Sequence, residues 1–370
     1  MLKQYSFSKY KFSLVFISIL VSLIGVLVIT SANASLQKRQ LMGIAIGVCV
    51  MIIISLIDYH WIAKFSIPFY VLNIALLLLV IRMGVNANNA VRWINIGGIQ
   101  FQPSEFSKVF LIIFFAKLFS DHQERLNKPW FIGLNMILIG IPLFLILKQP
   151  NLSTTIITAV IFAILYYVAG LHYGIILVTL GSAIPAALGF IWWLRKQSVD
   201  FIRLPQNYQL KRIMAWLEPE KYTDIAYQQL NSIQAIGSGQ LIGKGLNNNV
   251  VASSKNGNFI SFAETDFIFA VVGEELGFIG SMLIILLLTL LCFQIIRVAS
   301  KAKDKLGQLI CIGVAVYIGF QTFVNIGVTT GMLPNTGIPL PFISYGLTSL
   351  VSLFGGLGLV LNVHLQSNQH

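Results

Sequence analysis

The side chains best suited to chemistry are a few charged residues set at the edges of long apolar runs. Asp266 is the first. It lies in Ser261-Phe-Ala-Glu-Thr-Asp-Phe-Ile-Phe269, with a long polar stretch before it and a long apolar run after it. A carboxylate there is close enough to water to ionise. It is also close enough to lipid to meet a lipid-borne substrate and take a proton from a hydroxyl. Spacing alone leaves a second role open, because Thr265 or Asp266 could cap the helix that follows. The two roles are compatible, since a cap fixes the carboxylate in place.

Glu105 and Lys108 come next. Three residues apart at the head of an apolar run, they share a helix face. Ions within a membrane pair with one another or line a polar cavity, so a bracing ion pair and a substrate contact are both open. Glu274 and Glu275 follow Asp266 by about two helical turns, roughly 12 Å deeper if the helix is continuous. At least one of the two adjacent acids is expected to face a polar interior.

A proline-rich stretch, Leu333-Pro-Asn-Thr-Gly337-Ile-Pro339-Leu-Pro341-Phe-Ile-Ser344-Tyr-Gly346, separates two apolar runs. Such backbone makes a rigid, non-helical turn at the membrane edge and either lines a cavity or serves as a stiff connector. Cations are scattered around the same face: Arg92 beside Trp93, Lys108, Lys148, Arg212 and Lys244. They suit a pyrophosphate. Both signs of charge in one outward-facing cavity fit group transfer from a lipid pyrophosphate, and these residues alone would equally permit a transporter.

The elements that must position these residues follow from composition. The chain has 370 residues, 56% hydrophobic and 10% charged, with a net charge of +12. Soluble domains carry about 25% charged residues. The expected fold is all-α and polytopic, with ten spans near 12–30, 41–57, 66–83, 105–119, 131–147, 153–169, 173–194, 266–296, 308–330 and 342–364. The first run exceeds a signal-peptide core of roughly 7–15 residues and reads as an uncleaved span. With a cytoplasmic N-terminus, Lys3, Lys9, Lys11, Lys64, Arg125, Lys128, Arg297, Lys301, Lys303 and Lys305 all fall inside. Lys38, Arg39 and Arg92 fall outside. The positive charge is thus explained by anionic membrane lipid rather than nucleic acid. Cys49, Cys292 and Cys311 have no metal-like spacing and read as small buried hydrophobes. The longest external segment, about 195–265, includes an amphipathic stretch from Tyr208 to Leu217 suited to the membrane interface or a surface helix. Its Gly237-Ser-Gly239-Gln-Leu-Ile-Gly243-Lys-Gly245 run predicts tight turns and does not fit a P-loop.

Taken together and in order, these motifs resemble the SEDS family of RodA and FtsW proteins over essentially the whole chain. The resemblance is carried by Arg92-Trp-Ile-Asn-Ile-Gly97 with Gln102-Pro-Ser-Glu-Phe-Ser-Lys108, and by the Gly237–Gly245 loop. It is carried too by Thr265-Asp-Phe-Ile-Phe-Ala-Val-Val-Gly-Glu-Glu-Leu-Gly277 and by Pro334–Gly346. It implies a single membrane domain of ten helices, with a large extracytoplasmic loop after the seventh. It also implies a peptidoglycan glycosyltransferase that polymerises lipid II beside a class B penicillin-binding protein. Asp266 falls on the family's essential aspartate; Glu105 and Lys108 fall on its functional Glu and Lys. A divalent cation such as Mg or Mn could assist the leaving group. Leu56-Ile-Asp58-Tyr59 and Gly243-Lys-Gly245 lean towards RodA.

Two positions depart from the family pattern. Asn151 stands where an Asp is common, and Leu347 where a second Gly is common. The competing expectations are a lipid II flippase and a scaffold that only activates its penicillin-binding partner.

Overall fold

The computed structural model describes residues 10–87, 90–96, 99–197, 208–247, 260 and 263–367. Lys3, Lys9, Gly97, Gly98 and parts of the long external segment lie outside these residues.

Ten helices of 18 residues or more carry the fold among the described residues. They are α1 (Phe12–Ala32), α2 (Gln37–Leu56), α4 (Ser66–Met83), α5 (Pro103–Asp121), α6 (Pro129–Lys148), α7 (Leu152–Ala169), α8 (Tyr173–Arg195), α11 (Ile268–Ala299), α12 (Lys305–Thr329) and α13 (Leu347–Ser367). Eight helical segments are long and apolar enough to cross a membrane. Helix α5 differs from these in carrying Glu105, Lys108, Lys117 and Asp121 within its 19 residues. Three shorter helices complete the set: α3 (Tyr59–Lys64), α9 (Tyr208–Leu217) and α10 (Thr223–Ser238).

Helix α13 sits at the centre. Of its most apolar window 83% is buried, against 22% for α4 at the rim. It packs on α2, α12 and α5, while α12 also contacts α11, α7 and α5. The apolar side chains left exposed on α2, α4, α6 and α11 suit a lipid-facing rim.

The expected spans match these helices closely, with two corrections. The expected final span starts too early, because residues 342–346 belong to the proline-rich turn and α13 begins at Leu347. The eighth span is not one straight helix: Gly277 is non-helical, at φ 65° and ψ −163°. The all-helical fold holds, with one small sheet added in a connection. Between α4 and α5 lie β1 (Val85–Ala87), β2 (Ala90–Ile96) and β3 (Ile99–Phe101), paired antiparallel in the order β1-β2-β3.

The break at Gly277 is closed by the glycine-rich run after α10. The N–H groups of Lys244 and Gly245 donate to the carbonyls of Glu274 and Glu275, at 2.9 and 3.0 Å. Those carbonyls end the first half of α11. The N–H groups of Phe278 and Ile279, which start the second half, donate to the carbonyls of Gln240 and Leu241 at 2.8 and 3.1 Å. The loop therefore supplies the partners that a broken helix would otherwise lack. The approach is so close that a Cβ on Gly243 would lie 2.2 Å from the Glu275 carbonyl oxygen. The glycines make a backbone splice between loop and helix.

The chain connections gather at two ends. At one end Tyr10 bonds Ser55, Tyr59 bonds Asp304, and Lys305 reaches the carbonyl of Val168. At the other lie the sheet, α9, α10, residues 264–267 and the proline-rich turn.

Candidate active site

Asp266 lies at this second end, just before α11. The helix begins at Ile268 with Phe267 in the capping position and no side-chain cap. The capping expectation for Thr265 and Asp266 is therefore not met. What fixes Asp266 is its backbone. The N–H of Tyr345 donates to the Glu264 carbonyl at 2.9 Å, Ser344 Oγ donates to the Thr265 carbonyl at 2.7 Å, and Asn325 Nδ2 donates to the Asp266 carbonyl at 2.9 Å. Ser344 Oγ also accepts from the N–H of Leu340 at 2.7 Å, and Asn325 Nδ2 also reaches the Ile338 carbonyl at 2.6 Å. Two buried side chains thus tie residues 264–266 to the proline-rich turn.

That turn brings Gly337 against the carboxylate. Gly337 has φ +70°, and a Cβ built on it would lie 3.1 Å from Asp266 Oδ2 and 3.6 Å from Arg212 Nη1. The base and the guanidinium therefore flank one small gap that a glycine keeps open. The half-buried setting of Asp266 raises its pKa above the ordinary value. Arg212 and then Arg92 pull it back, and Glu264 adds to the rise.

Arg212 is delivered by α9, whose Met214 and Ala215 pack in a cluster with Leu194, Tyr222 and Ala226. Arg212 Nη1 donates to the Asn335 carbonyl at 3.4 Å, and Trp216 Nε1 donates to the Gly331 carbonyl at 2.8 Å. This amphipathic helix is docked on the turn, neither free on a surface nor resting on lipid alone. Helix α10 reinforces the dock. Gln229 Nε2 reaches the carbonyls of Val328 and Leu333, both at 2.7 Å, and Ser232 Oγ reaches Thr329 at 2.8 Å. The sequence reading missed α10. Its inward face is Ala226, Gln229, Ser232 and Ala235, small and polar residues that do not read as a core face.

Arg92 projects from β2. Its Nε donates to the Gln149 carbonyl at 3.2 Å, and its Nη2 donates to that of Pro150. A pocket lies between Arg92, Arg212, the start of α7 at Leu152 and Ser153, and Pro334, Asn335 and Thr336 of the turn. Trp93, adjacent on the same strand, points to the opposite face and does not line it.

Glu105 and Lys108 do not line this pocket. They lie beneath the turn, 3% and 1% exposed, with Lys108 Nζ 2.9 Å from Glu105 Oε1. Proline at the first turn of α5 starts the helix that places them on one face. Lys108 Nζ also donates to Gln321 Oε1 at 2.9 Å and stands 4.3 Å over the Tyr317 ring. Gln321 Nε2 in turn donates to the Pro339 carbonyl at 2.9 Å. The pair therefore supports the floor of the turn through Gln321, a residue with no signal in sequence. Pro341 is buried at the next bend.

The remaining candidates lie elsewhere. Lys244 pairs with Glu274 at 2.8 Å, beside the break in α11, and Glu275 bonds Ser31 Oγ. The two acids meet the loop and α1 and do not reach deeper into a cavity. Lys148 is exposed on α6 over the Phe144 ring, with 4.9 Å from Nζ to the centroid. Asn151 caps α7, its Oδ1 accepting from the Thr154 N–H at 3.2 Å. An amide caps as well as a carboxylate, so the cap of α7 is kept with Asn at this position. Cys49 is exposed and Cys311 buried, so the cysteine expectation holds in part.

No group of three His, Cys, Asp or Glu side chains that could hold a metal occurs among the described residues. Among the described residues, the charged groups that act on Asp266 are one further carboxylate, Glu264, and the guanidinium groups of Arg212 and Arg92.

The chain matches the profile described as cell cycle protein, covering FtsW, RodA and SpoVE, over residues 5–369. It is 32% identical to a probable peptidoglycan glycosyltransferase FtsW of Geobacter sp. (strain M18), over 96% of each chain. It is 34% identical to stage V sporulation protein E of Bacillus subtilis (strain 168), over 95% of each. Among solved structures it superposes on a chain from a peptidoglycan synthase complex in which polymerization and crosslinking are coordinated. That match has a TM-score of 0.79 and 27% identity, over 98% of this chain and 99% of the other. The rod shape determining protein RodA of Thermus thermophilus superposes with a TM-score of 0.70 and 26% identity, over 98% of each chain. By profile, by relatives and by fold, the chain belongs to the FtsW, RodA and SpoVE family, the SEDS proteins.

Proposed function

We propose that this chain is a peptidoglycan glycosyltransferase that polymerises lipid II, with Asp266 as the general base. Asp266 takes the proton from the 4-hydroxyl of the acceptor N-acetylglucosamine. That oxygen forms a bond to the anomeric carbon of the donor N-acetylmuramic acid. The bond from that carbon to the diphosphate oxygen breaks, its electron pair leaving with undecaprenyl pyrophosphate. Attack opposite the leaving group inverts an α-linkage into β-1,4. The observation that carries the reading is the shared gap at Gly337, which sets a carboxylate of raised pKa beside a guanidinium. A base poised upward takes a hydroxyl proton more readily, and the cation answers the charge developing on the leaving group.

The chain is a multi-pass membrane protein. Within that, we place both termini in the cytoplasm and the site on the extracytoplasmic face, on the distribution of Lys and Arg. The whole chain is taken as one membrane domain. A class B penicillin-binding protein is its proposed partner, in keeping with the synthase complex that it resembles. A RodA-like role in elongation is likewise a proposal. It rests on Leu56–Tyr59 and Gly243–Gly245, whereas the similar relatives named above are an FtsW and a stage V sporulation protein E. Asp266, Arg92 and Arg212 are the proposed working residues; Glu105, Lys108 and Ser344 hold the turn that positions them.

A flippase would need its helix break to open onto a polar path. The break at Gly277 is instead filled by the loop. Reconstitution of the chain with labelled lipid II, with and without its partner, tests the reading. Glycan strands are expected; transbilayer movement without strands would overturn it.

A further inference from the structure

The end of the bundle opposite Asp266 carries a group of cations that the proposed transfer does not use. Helices α1 and α11 pack against each other there. Ser13 Oγ donates to Gln294 Oε1 at 2.7 Å at this end, and Ser31 Oγ bonds Glu275 at the other, so the two helices run antiparallel. The Ser13–Gln294 bond sets the start of α1 level with the end of α11. Lys11 precedes Ser13 and Arg297 follows Gln294, so both cations extend past the bond in the same direction. Lys301 joins them from the turn after α11, where its N–H donates to the Val298 carbonyl at 3.1 Å. Burial, and then Arg297 and Lys301, lower the pKa of Lys11, as expected where cations crowd together.

Like charges this close repel. Among the described residues no carboxylate pairs with any of the three. The acid nearest to Lys301 in sequence, Asp304, is taken up by Tyr59, His60 and the N–H of Gly307. Arg297 rests on the Phe293 ring, 5.7 Å from its centroid, and stays exposed. The group therefore calls for an anion from outside the chain.

A second observation points to what that anion carries. Phe12 and Phe16 on α1, and Leu290, Phe293 and Ile296 on α11, are exposed beside the cations. Phe16 lies one turn from Ser13 and Leu290 one turn from Gln294, so they flank the bond between the helices. The seam is apolar along its length and cationic at its end. A soluble anion would answer the charge and leave the seam bare, whereas a phosphate bearing acyl chains answers both. Basic pockets between membrane helices hold lipid head groups in this way.

We infer that Lys11, Arg297 and Lys301 bind the head-group phosphate of an anionic glycerophospholipid, whose acyl chains lie along the seam of α1 and α11. The lipid belongs to the leaflet on the side away from Asp266. This site is independent of the proposed glycosyl transfer.

The test is binding of fluorescently labelled dioleoyl phosphatidylglycerol to the full-length protein in phosphatidylcholine nanodiscs, with labelled phosphatidylcholine as the reference. The Lys11→Gln, Arg297→Gln, Lys301→Gln triple variant is expected to weaken phosphatidylglycerol binding by about tenfold or more, with phosphatidylcholine unchanged. A Lys64→Gln, Arg125→Gln, Lys128→Gln triple variant removes the same charge from exposed positions elsewhere at this end. It should stay within about twofold of wild type. Lys301→Gln alone, at an exposed position, should give a loss of about threefold and covers the case of a triple variant that does not fold. Dihexanoyl phosphatidylglycerol, with chains too short to fill the seam, should compete poorly. Equal losses in the two triple variants, or full binding by a folded Lys11, Arg297, Lys301 variant, would overturn the site. Undecaprenyl phosphate competing as well as phosphatidylglycerol would overturn the choice of lipid.

Discussion

Asn325 Nδ2 holds the main-chain carbonyl of Asp266 at 2.9 Å, from the last turns of α12. The same amide holds Ile338 at 2.6 Å, so one side chain sets the distance between the base and the proline-rich turn. Asn325→Ala would strand both carbonyls. The expected cost is about 1–3 kcal/mol for each buried group left unpaired. We expect a lower thermal midpoint in detergent and a fall in kcat that exceeds any rise in KM. Wild-type kcat in a folded variant would remove Asn325 from the account.

The Glu105–Lys108 pair is buried, so breaking it differs from deleting it. Glu105→Gln leaves a buried ammonium group and should destabilise by about 3–5 kcal/mol. A Glu105→Gln, Lys108→Met double variant should recover much of that stability. Thermal unfolding of the two variants decides. If the double variant is no more stable than the single one, the pair does more than brace the turn.

Gly337 keeps the gap open between Asp266 and Arg212. Gly337→Ala meets both a left-handed φ of +70° and a contact of 3.1 Å with Asp266 Oδ2. Backbone strain of this kind costs on the order of 1–3 kcal/mol. Polymerisation should fall at least tenfold at normal expression, a scale set by misplacing a base. Gly243→Ala should instead act on stability, since its Cβ would strike the Glu275 carbonyl at the break in α11. Loss of folded protein is its expected readout.

The pH profile carries the sign of the Asp266 environment. Burial lifts its pKa, so the acid limb of kcat/KM should lie above the ordinary carboxylate value of about 3.9. Arg212 opposes that lift, so Arg212→Gln should move the limb to higher pH. A raised folded pKa means that the folded state holds this proton more tightly than the unfolded chain. Its stabilising contribution is therefore greatest at low pH and is lost as pH rises through the folded pKa.

Much of the fold was legible because lipid makes spans read as long apolar runs. The ten runs lie on the ten long helices, with ends shifted by a few residues. Helix α10 was not legible by its buried side, because the face that docks is polar, Gln229 and Ser232 against carbonyls of α12, while Leu230 and Ile233 are exposed. The break at Gly277 was hidden as well. Its glycine sits in an unbroken apolar run, and the partners that satisfy it come from residues 240–245. Within the site, the charged residues announced themselves by their rarity. Their grouping did not: Lys148 and Lys244 were as plausible as Arg92 and Arg212 until β2, α7 and α9 were seen to converge. Asn325 stood out beside the proline-rich stretch, whereas Gln321 acts through a carbonyl of a turn whose path the sequence does not reveal.

The most direct test is polymerisation of purified lipid II by Asp266→Asn protein, compared with wild type at equal folded concentration. The amide keeps the shape, the Asn325 bond to its own carbonyl and the Ser344 bond to that of Thr265, but cannot take a proton. The account predicts loss of glycan strands. Strand synthesis near the wild-type rate would contradict it.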